Sequence, residues 1–544
     1  MNRMTYGFSL VSVKAGLIGL AVVGLFCMSF CGGRLWGEEA AEPSEPDKRE
    51  VRLTLEECLR RALEENLSLL AQALTIGIAE QGVVSAQSPF DSQLGLDLLY
   101  ERARSQQEGT QGDRRRADLS WSKKVGTGQV FRVAHSGSRF SRGVDVPITP
   151  FYDLEWTISA VQPLAKGAGR TANMAPVWIA ENERKQAVLM TEEFIMDLVG
   201  CMDRLKRLSI EAGYLDLIYA IRFLDVQQSA LKLAQELLAR NEALVGLGKL
   251  PGRSVEVLEA KATIATREEG IIIALNEIAK AEDAIRRLMN LPVRFEEDRP
   301  RLVPADEPVV DLKVPKLEES LSSALANRPQ VQALKLYLDS NRVELAAAKN
   351  NRLPEVDLRA DLGLAGSNTD YGSSFEELSE GRDYVWQVGI SVSIPWGNRA
   401  ARSRYARAKL NYQKARIVYS DFLEELRLDV INAHRDIDRD IKRMASTKAA
   451  MEQTELQLQA ENELLEQGMS SSFRILEFQD DLIQARIRHL AATIDFNRSY
   501  FKLLRVEGRA IRNERFDLTD VVEKILRQVD PSRRRLSPGR GPAG

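Results

Sequence analysis

Three histidines, four cysteines and scattered acid pairs are the residues that could carry chemistry in this chain of 544, and their spacing argues against catalysis. His135, His434 and His489 stand far apart, and none lies in a His-x-x-x-His or Cys-x-x-Cys setting that would gather metal ligands. Gly246-Leu-Gly-Lys249 lacks the spacing and the hydroxyl of a phosphate-binding loop, and no serine occupies a Gly-x-Ser-x-Gly elbow. Acid pairs such as Glu192-Glu193 sit on helical sequence as solvated faces. The expectation is a protein without enzymatic activity, cofactor or metal. Cys58 and Cys201 fall far apart in helical sequence and are expected free and buried. Cys27 and Cys31 each follow a phenylalanine, which disfavours lipidation.

The residues with a stronger message are structural. Aromatics are 6% and charged residues 28%, a balance that favours long helices and coiled coil over thick globular cores. A net charge of −3 gives nucleic acid no footprint. Arg3 and Lys14, an apolar run from Ala15 to Phe30, and small residues before Glu38-Glu39 have the layout of an export signal over 1–37, followed by a linker over 38–52. No later segment reads as a membrane helix, so an exported chain would meet a membrane as a surface binder or through a β-barrel. The basic cluster Arg533-Arg534-Arg535 precedes a Pro- and Gly-containing end, and 511–544 reads as a disordered tail.

The chain is written twice. Leu55-Glu-Glu-Cys-Leu-Arg-Arg-Ala-Leu63 returns 262 positions later as Leu317-Glu-Glu-Ser-Leu-Ser-Ser-Ala-Leu325. Thr54 and Glu57 form a capping box before the first copy, and a second helix follows each copy, near 67–87 and 329–350. Each half then has an outgoing strand, at Leu94–Leu98 and Val356–Leu364, and a return strand, at Trp156–Ala160 and Val388–Ile394. Pro163 and Pro395 close the return strands, and Gly167 and Gly397 permit the turn into helix, so all four are candidate strand-to-helix hinges. Trp396 fits either an interfacial anchor or a packed aromatic. An insert of 30 residues in the first half contains Ala117–Trp121 and Gly128–Val133 around a Val125-Gly-Thr-Gly128 turn; it fits an external loop or an added membrane hairpin equally well.

Long proline-poor helices follow, from about Ala175 to Val245 and from about Arg399 to Gln467, each reaching roughly 100 Å. Glycine loops at 246–252 and 468–472 break them, and a helix runs back from each. The last shows a three-four seam at Phe473, Leu476, Ile483, Ile487, Leu490, Ile494, Phe501 and Leu504, interrupted by Asp480 and Asn497, which read as register devices. The fold class is therefore α+β: long antiparallel coiled-coil helices with an internal duplication, 53–310 and 311–510, and four strands, or six if the insert pairs as well. Four strands cannot close a barrel, and open edges in lipid are costly, so several copies must share one.

These features resemble the TolC-like outer membrane efflux protein family. The twin Leu-Glu-Glu-x-Leu-x-x-Ala-Leu openings, the strands ending in Pro163 and Pro395, and the tip phrases Val245-Gly246-Leu247 and Gly468 with Ile475-Leu476 carry the likeness over nearly all of the mature length. The resemblance implies a homotrimer in outer membrane lipid, sharing a twelve-stranded barrel continued by a helical α-barrel through the periplasm. It implies a passive exit duct of a tripartite efflux or type I secretion system, docked at its tips to a periplasmic adaptor joined to an inner membrane transporter. Val245, Gly246, Leu247, Gly248 and Gly468 would be the docking tips. The family's acidic entrance ring falls on Arg474 and Glu477; Glu477 keeps the pattern and Arg474 breaks it. The alternative is a periplasmic coiled-coil scaffold or adaptor without a pore.

Overall fold

The structure, a computed structural model, describes residues 50–105, 110–143, 150–200, 209–247, 254–292, 300–310, 312–513 and 515–529. The expected signal over 1–37, most of the 38–52 linker, Cys201, Gly248 and residues 530–544 lie outside the described residues.

In chain order the first half comprises β1 (Glu50–Leu53), α1 (Leu55–Glu65), α2 (Leu67–Gln87), β2 (Gln93–Ser105), β3 (Thr110–Lys124), β4 (Val130–Gly143), β5 (Phe151–Pro163), α3 (Arg170–Val199), α4 (Ile210–Gly246) and α5 (Val255–Leu288). β6 (Arg301–Pro304) closes the first half; the second comprises α6 (Leu317–Asn327), α7 (Pro329–Asn350), β7 (Glu355–Asn368), α8 (Tyr371–Glu380), β8 (Asp383–Ser393), α9 (Arg399–Glu466) and α10 (Ser472–Val506), and α11 (Thr519–Val529) follows. The duplication is visible element by element, α1-α2 against α6-α7 and β5-α3 against β8-α9.

Local chemistry explains the starts. Thr54 and Glu57 exchange the two capping-box hydrogen bonds, Glu57 N donating to Thr54 Oγ1 at 3.2 Å and Thr54 N to Glu57 Oε2 at 2.9 Å. Asn66 ends α1 and caps α2 by accepting from Leu69 N at 3.0 Å. At 68 residues, α9 spans about 100 Å without a break. The matching stretch of the first half does break, against expectation: α3 stops at Val199 with extended Gly200 as its C-cap, and α4 restarts behind Ser209, whose hydroxyl accepts from Ala212 N. Proline scarcity permits a continuous helix but does not enforce one, and Gly200 supplies the exit.

A single main core lies where the two halves meet. Leu59, Ile76, Ile195, Ile210, Ile285 and Phe501 are almost completely buried there. Residues 511–513 and 515–529 are ordered, which corrects the expectation of disorder from 511 onward. Phe516, Leu518, Val521, Val522 and Leu526 join the core, and Arg60–Asp520 and Lys524–Glu64 pairs flank them. The paired apolar positions of α11 recur at helical spacing, a local signal that the charged end of the chain obscured.

The returning helix keeps most of its seam. Ile483, Ile494, Phe501 and Leu504 are buried, but Phe473 is exposed, and Ile475 instead packs with Leu237, Leu458 and Leu482. Asn497 does more than hold register: its side chain accepts from Val309 N at 3.1 Å and donates to Val309 O at 2.9 Å, tying the inter-repeat connection to α10.

Candidate functional site

Six strands form one antiparallel sheet in the order β2-β3-β4-β5-β7-β8. The insert is therefore neither a loose loop nor separate: β3 and β4 lie in the middle of the first half's contribution, as long as their neighbours. Registers align one apolar face across all six strands. One row runs Leu94, Trp121, Val133, Ile158, Leu362, Trp386 and the next Leu96, Leu119, His135, Trp156, Leu364, Tyr384. The opposite face carries Asp97, Asp118, Ser136, Glu155 and Asp361. An apolar outer face with a polar inner face, on strands of 11–15 residues, matches a tilted membrane crossing.

The candidate hinge residues lie where the return strands leave the sheet. Pro163 ends β5, Pro395 follows β8, and Gly167 and Gly397 hold φ of 79° and 83°, values that favour glycine. Gly167 N donates to Asn350 Oδ1 at 2.8 Å, and Asn398 Nδ2 to Arg352 O at 3.1 Å, so α7 and the turn after it brace both junctions. The turn of the inserted hairpin also seats here, with Gly169 N donating to Thr127 O at 3.0 Å. Trp396 is fully exposed among the described residues.

Open edges of sheet and helix layer coincide. Among the described residues β2 and β8 each pair on one side only. In the helical layer beside the sheet, α2 packs on α3, α3 on α7 and α7 on α9; farther away, α9 packs on α10, α10 on α4 and α4 on α5. One edge of the chain is thus β8 continued by α9, and the other is β2 preceded by α2, with α5 at its far end. Both edges carry exposed apolar side chains. On α2, Leu67, Leu70, Leu74 and Ile78 are exposed while Leu69, Ala73 and Ile76 are buried; on α9, Leu410 and Ile417 are exposed. Leu67–Phe90 is in fact long and apolar enough to cross a membrane, contrary to the sequence expectation, but its buried face packs on α3 within the helical layer. A helix apolar on two sides is one that serves two neighbours.

At the far end the hairpins converge. Val245 and Gly246 finish α4, Leu247 is exposed beyond them, and Gly468 turns the second tip with φ 76°. Arg474 pairs with Glu461 at 3.4 Å and lies over the Phe478 ring; Glu477 is exposed, with no ion pair among the described residues. The structure therefore separates the two proposed ring residues: Arg474 is engaged within its own hairpin and Glu477 is free to face outward. Sequence reasoning missed the contacts joining the two hairpins. Arg267 on α5 pairs with Asp480 on α10, and buried Asn241 accepts from Ser472 Oγ at 2.8 Å while donating to Glu256 O at 3.3 Å. Asn241 had a signal, since it continues the buried spacing of Ala230, Ala234 and Leu237. Arg267 and Asp480 had none beyond opposite charge. Burial holds the Arg267 guanidinium below its ordinary range.

Cys58 is free and buried, and its thiol is pushed up to about 12 by burial and then by Glu57 and Asp306. No group of three or more candidate metal ligands occurs among the described residues.

Comparison with known proteins places this architecture. Residues 320–509 match the family model described as outer membrane efflux protein. The chain is 23% identical over 217 residues to toxin and drug export protein A of Aggregatibacter actinomycetemcomitans, covering 38% of this chain and 44% of that one. It is 22% identical over 300 residues to outer membrane efflux protein BepC of Brucella suis biovar 1 (strain 1330), covering 55% and 62%. The matches thus span less than two thirds of either relative. The CmeC outer membrane channel of Campylobacter jejuni superposes with a TM-score of 0.59 at 13% identity, over 88% of this chain and 90% of that one. The fold is that of the TolC-like outer membrane channels. The match to the outer membrane efflux protein model falls on the second repeat, residues 320–509.

Proposed function

We propose that this protein is the outer membrane channel of a tripartite efflux or type I secretion system, a passive trimeric duct reaching from the outer membrane into the periplasm. The observation that carries the reading is the coincidence of open edges in one chain, which would let β8 and α9 of one copy meet β2 and α2 of the next in a single continuous seam. Each strand left open in lipid would expose a row of backbone groups at a cost of several kcal/mol apiece, so closure by sister copies is strongly favoured. Strand directions alternate along the sheet, so β8 meets β2 of a neighbour antiparallel, as closure requires. Three sheets of six make a barrel of eighteen strands, not twelve. Diameter grows roughly with strand number, so the lumen is about one and a half times as wide, in the range that holds an open aqueous channel.

Val245, Gly246, Leu247 and Gly468 are the surface for a periplasmic adaptor, which links the duct to an energised inner membrane transporter. Gly248 belongs to the same proposal. Glu477 contributes to the entrance ring, with Arg474 held back by Glu461 and Phe478.

Fractionation, cross-linking and planar bilayer recording test the reading together. The expected result is outer membrane location, a detergent-stable trimer and discrete conductance, with Glu477→Gln lowering the preference for cations. Release with soluble periplasm and no conductance would favour the scaffold without a pore.

A further inference from the structure

Near the end of the sheet opposite the hinges, the register row on the apolar face runs Tyr100, Arg115, Arg139, Tyr152. Two arginines thus stand directly opposite each other on adjacent strands, an arrangement that is unfavourable unless an anion lies between them. Each guanidinium leans on a flanking ring, Arg115 on Tyr100 at 5.7 Å and Arg139 on Tyr152 at 5.8 Å. Neither has a carboxylate partner among the described residues; the nearby Asp113 on the same face is taken by Arg102 at 3.6 Å. The row beneath, toward the hinges, runs Leu98, Ala117, Gly137, Leu154, large at the sides and small in the middle. The result is a groove of about 630 Å³, apolar along its floor, cationic at its outer end and flanked by Tyr371 of α8.

On a surface that faces lipid, a charge costs about 2–4 kcal/mol at mid-depth and far less at the interface. An unpaired arginine couple is therefore placed at headgroup level, where its tyrosine neighbours also belong. Guanidinium pairs hold phosphate through forked hydrogen bonds, and an apolar channel running inward from them takes an acyl chain. We propose that this groove binds a phosphate-bearing lipid, its headgroup on Arg115 and Arg139 and one chain over Ala117 and Gly137. The site rests on the reading of the sheet as a membrane barrel. Both arginines come from the inserted hairpin, so the insert adds a lipid site as well as two strands.

The test uses the full protein purified from outer membranes and stripped of lipid in detergent. It is titrated with a hexa-acyl glucosamine disaccharide carrying two phosphates and with the same lipid dephosphorylated, and binding is read by native mass spectrometry. Wild type is expected to hold the phosphorylated lipid roughly tenfold or more tightly. Arg115→Gln with Arg139→Gln brings the ratio close to one. Ala117→Leu, which fills the floor and leaves both cations, weakens both lipids alike, and millimolar inorganic phosphate does not displace bound lipid. Equal binding by wild type, a preference that survives the double glutamine change, or displacement by inorganic phosphate overturns the proposal. If the glutamine pair fails to assemble, Arg115→Lys with Arg139→Lys keeps the charge, loses the fork and gives an intermediate ratio; a preference unchanged in that variant also overturns the forked site. Bilayer conductance separates the two readings: a conducting wild type without lipid preference sinks the groove alone, whereas a wild type that neither conducts nor forms oligomers sinks the channel.

Discussion

Asn66 and Arg328 occupy the same place in the two repeats, the joint between the first and second helix, and both are buried. Asn66 solves its burial locally, capping α2 and donating to Leu288 O at 2.9 Å. The Arg328 side chain makes no cap hydrogen bond: Pro329 removes one orphan donor at the start of α7, and the guanidinium reaches into the other repeat to Glu193 at 2.9 Å. Arg505 joins the same cluster through Asp197 and, at 3.7 Å, Glu193. The two copies share the backbone plan, while the second copy's joint is a charged tie between the halves. The halves differ likewise in what they give the six-stranded sheet, four strands against two, and in the long helix, broken against continuous.

The sharpest test of that contrast is Arg328→Met. It leaves a buried carboxylate with only the more distant Arg505, and about 3–5 kcal/mol of stability should be lost. Asn66→Ala should lose about 1 kcal/mol, the worth of a cap. Thermal unfolding of the detergent-solubilised oligomer compares them, and equal losses would break the distinction between a local and a cross-repeat joint.

Next in size is the insert. Leu119 lies on the apolar face of β3 and Ser120 on the other. Leu119→Arg should cost about 2–4 kcal/mol per copy and abolish outer membrane assembly, whereas Ser120→Arg should assemble and narrow the lumen. Leu362→Arg on β7 should behave as Leu119→Arg does. If Leu119→Arg assembles normally, β3 is not in lipid and the eighteen-stranded count fails.

How much of this could be read from the chain follows from where each signal lies. The twin short helices, the 67–87 and 329–350 helices and the proline-glycine junctions were legible because capping and proline chemistry act within a few residues. β7 and β8 alternate cleanly and were legible too. β3 hid its role because Arg114, Arg115 and Arg116 are consecutive, and only register shows Arg115 on one face and its neighbours on the other. The break at Gly200 and the helix α11 had only short local signals, one glycine and one apolar repeat beside a charged end, and the Arg267–Asp480 tie is settled by tertiary partners, which no window of sequence contains.

A smaller effect is expected at the tip, where the Arg267–Asp480 pair joins the hairpins of the two repeats. Asp480 is well exposed, so the pair is worth no more than about 1 kcal/mol. Arg267→Ala should therefore raise the open fraction in single-channel recordings by up to roughly fivefold. Ser472→Ala, which removes the hydroxyl on Asn241, should push the same way. Unchanged gating in both would show that the hairpins move as one body.

Acid should finally pull the two hairpins in opposite directions. His489 on α10 lies 3.3 Å from Thr447 of α9, and burial, then Lys448, hold its imidazole below the ordinary value. With a folded value below the unfolded one, the unfolded chain binds more protons, so stability is present above the unfolded value of about 6.5 and is lost as pH falls through the lower folded value. Glu282 on α5 has the opposite sign. Burial raises its carboxyl despite the Leu302 N–H and Arg286, so the folded chain binds more protons and stability grows as pH falls through the raised value. Hydrogen exchange, corrected for intrinsic rates, should quicken around His489 and slow around Glu282 on acidification. His489→Gln should remove the first response and leave the second. The asymmetry has a sequence origin, since α4 and α5 contain no histidine. If both hairpins loosen together, their acid response comes from the whole assembly and not from these two buried groups.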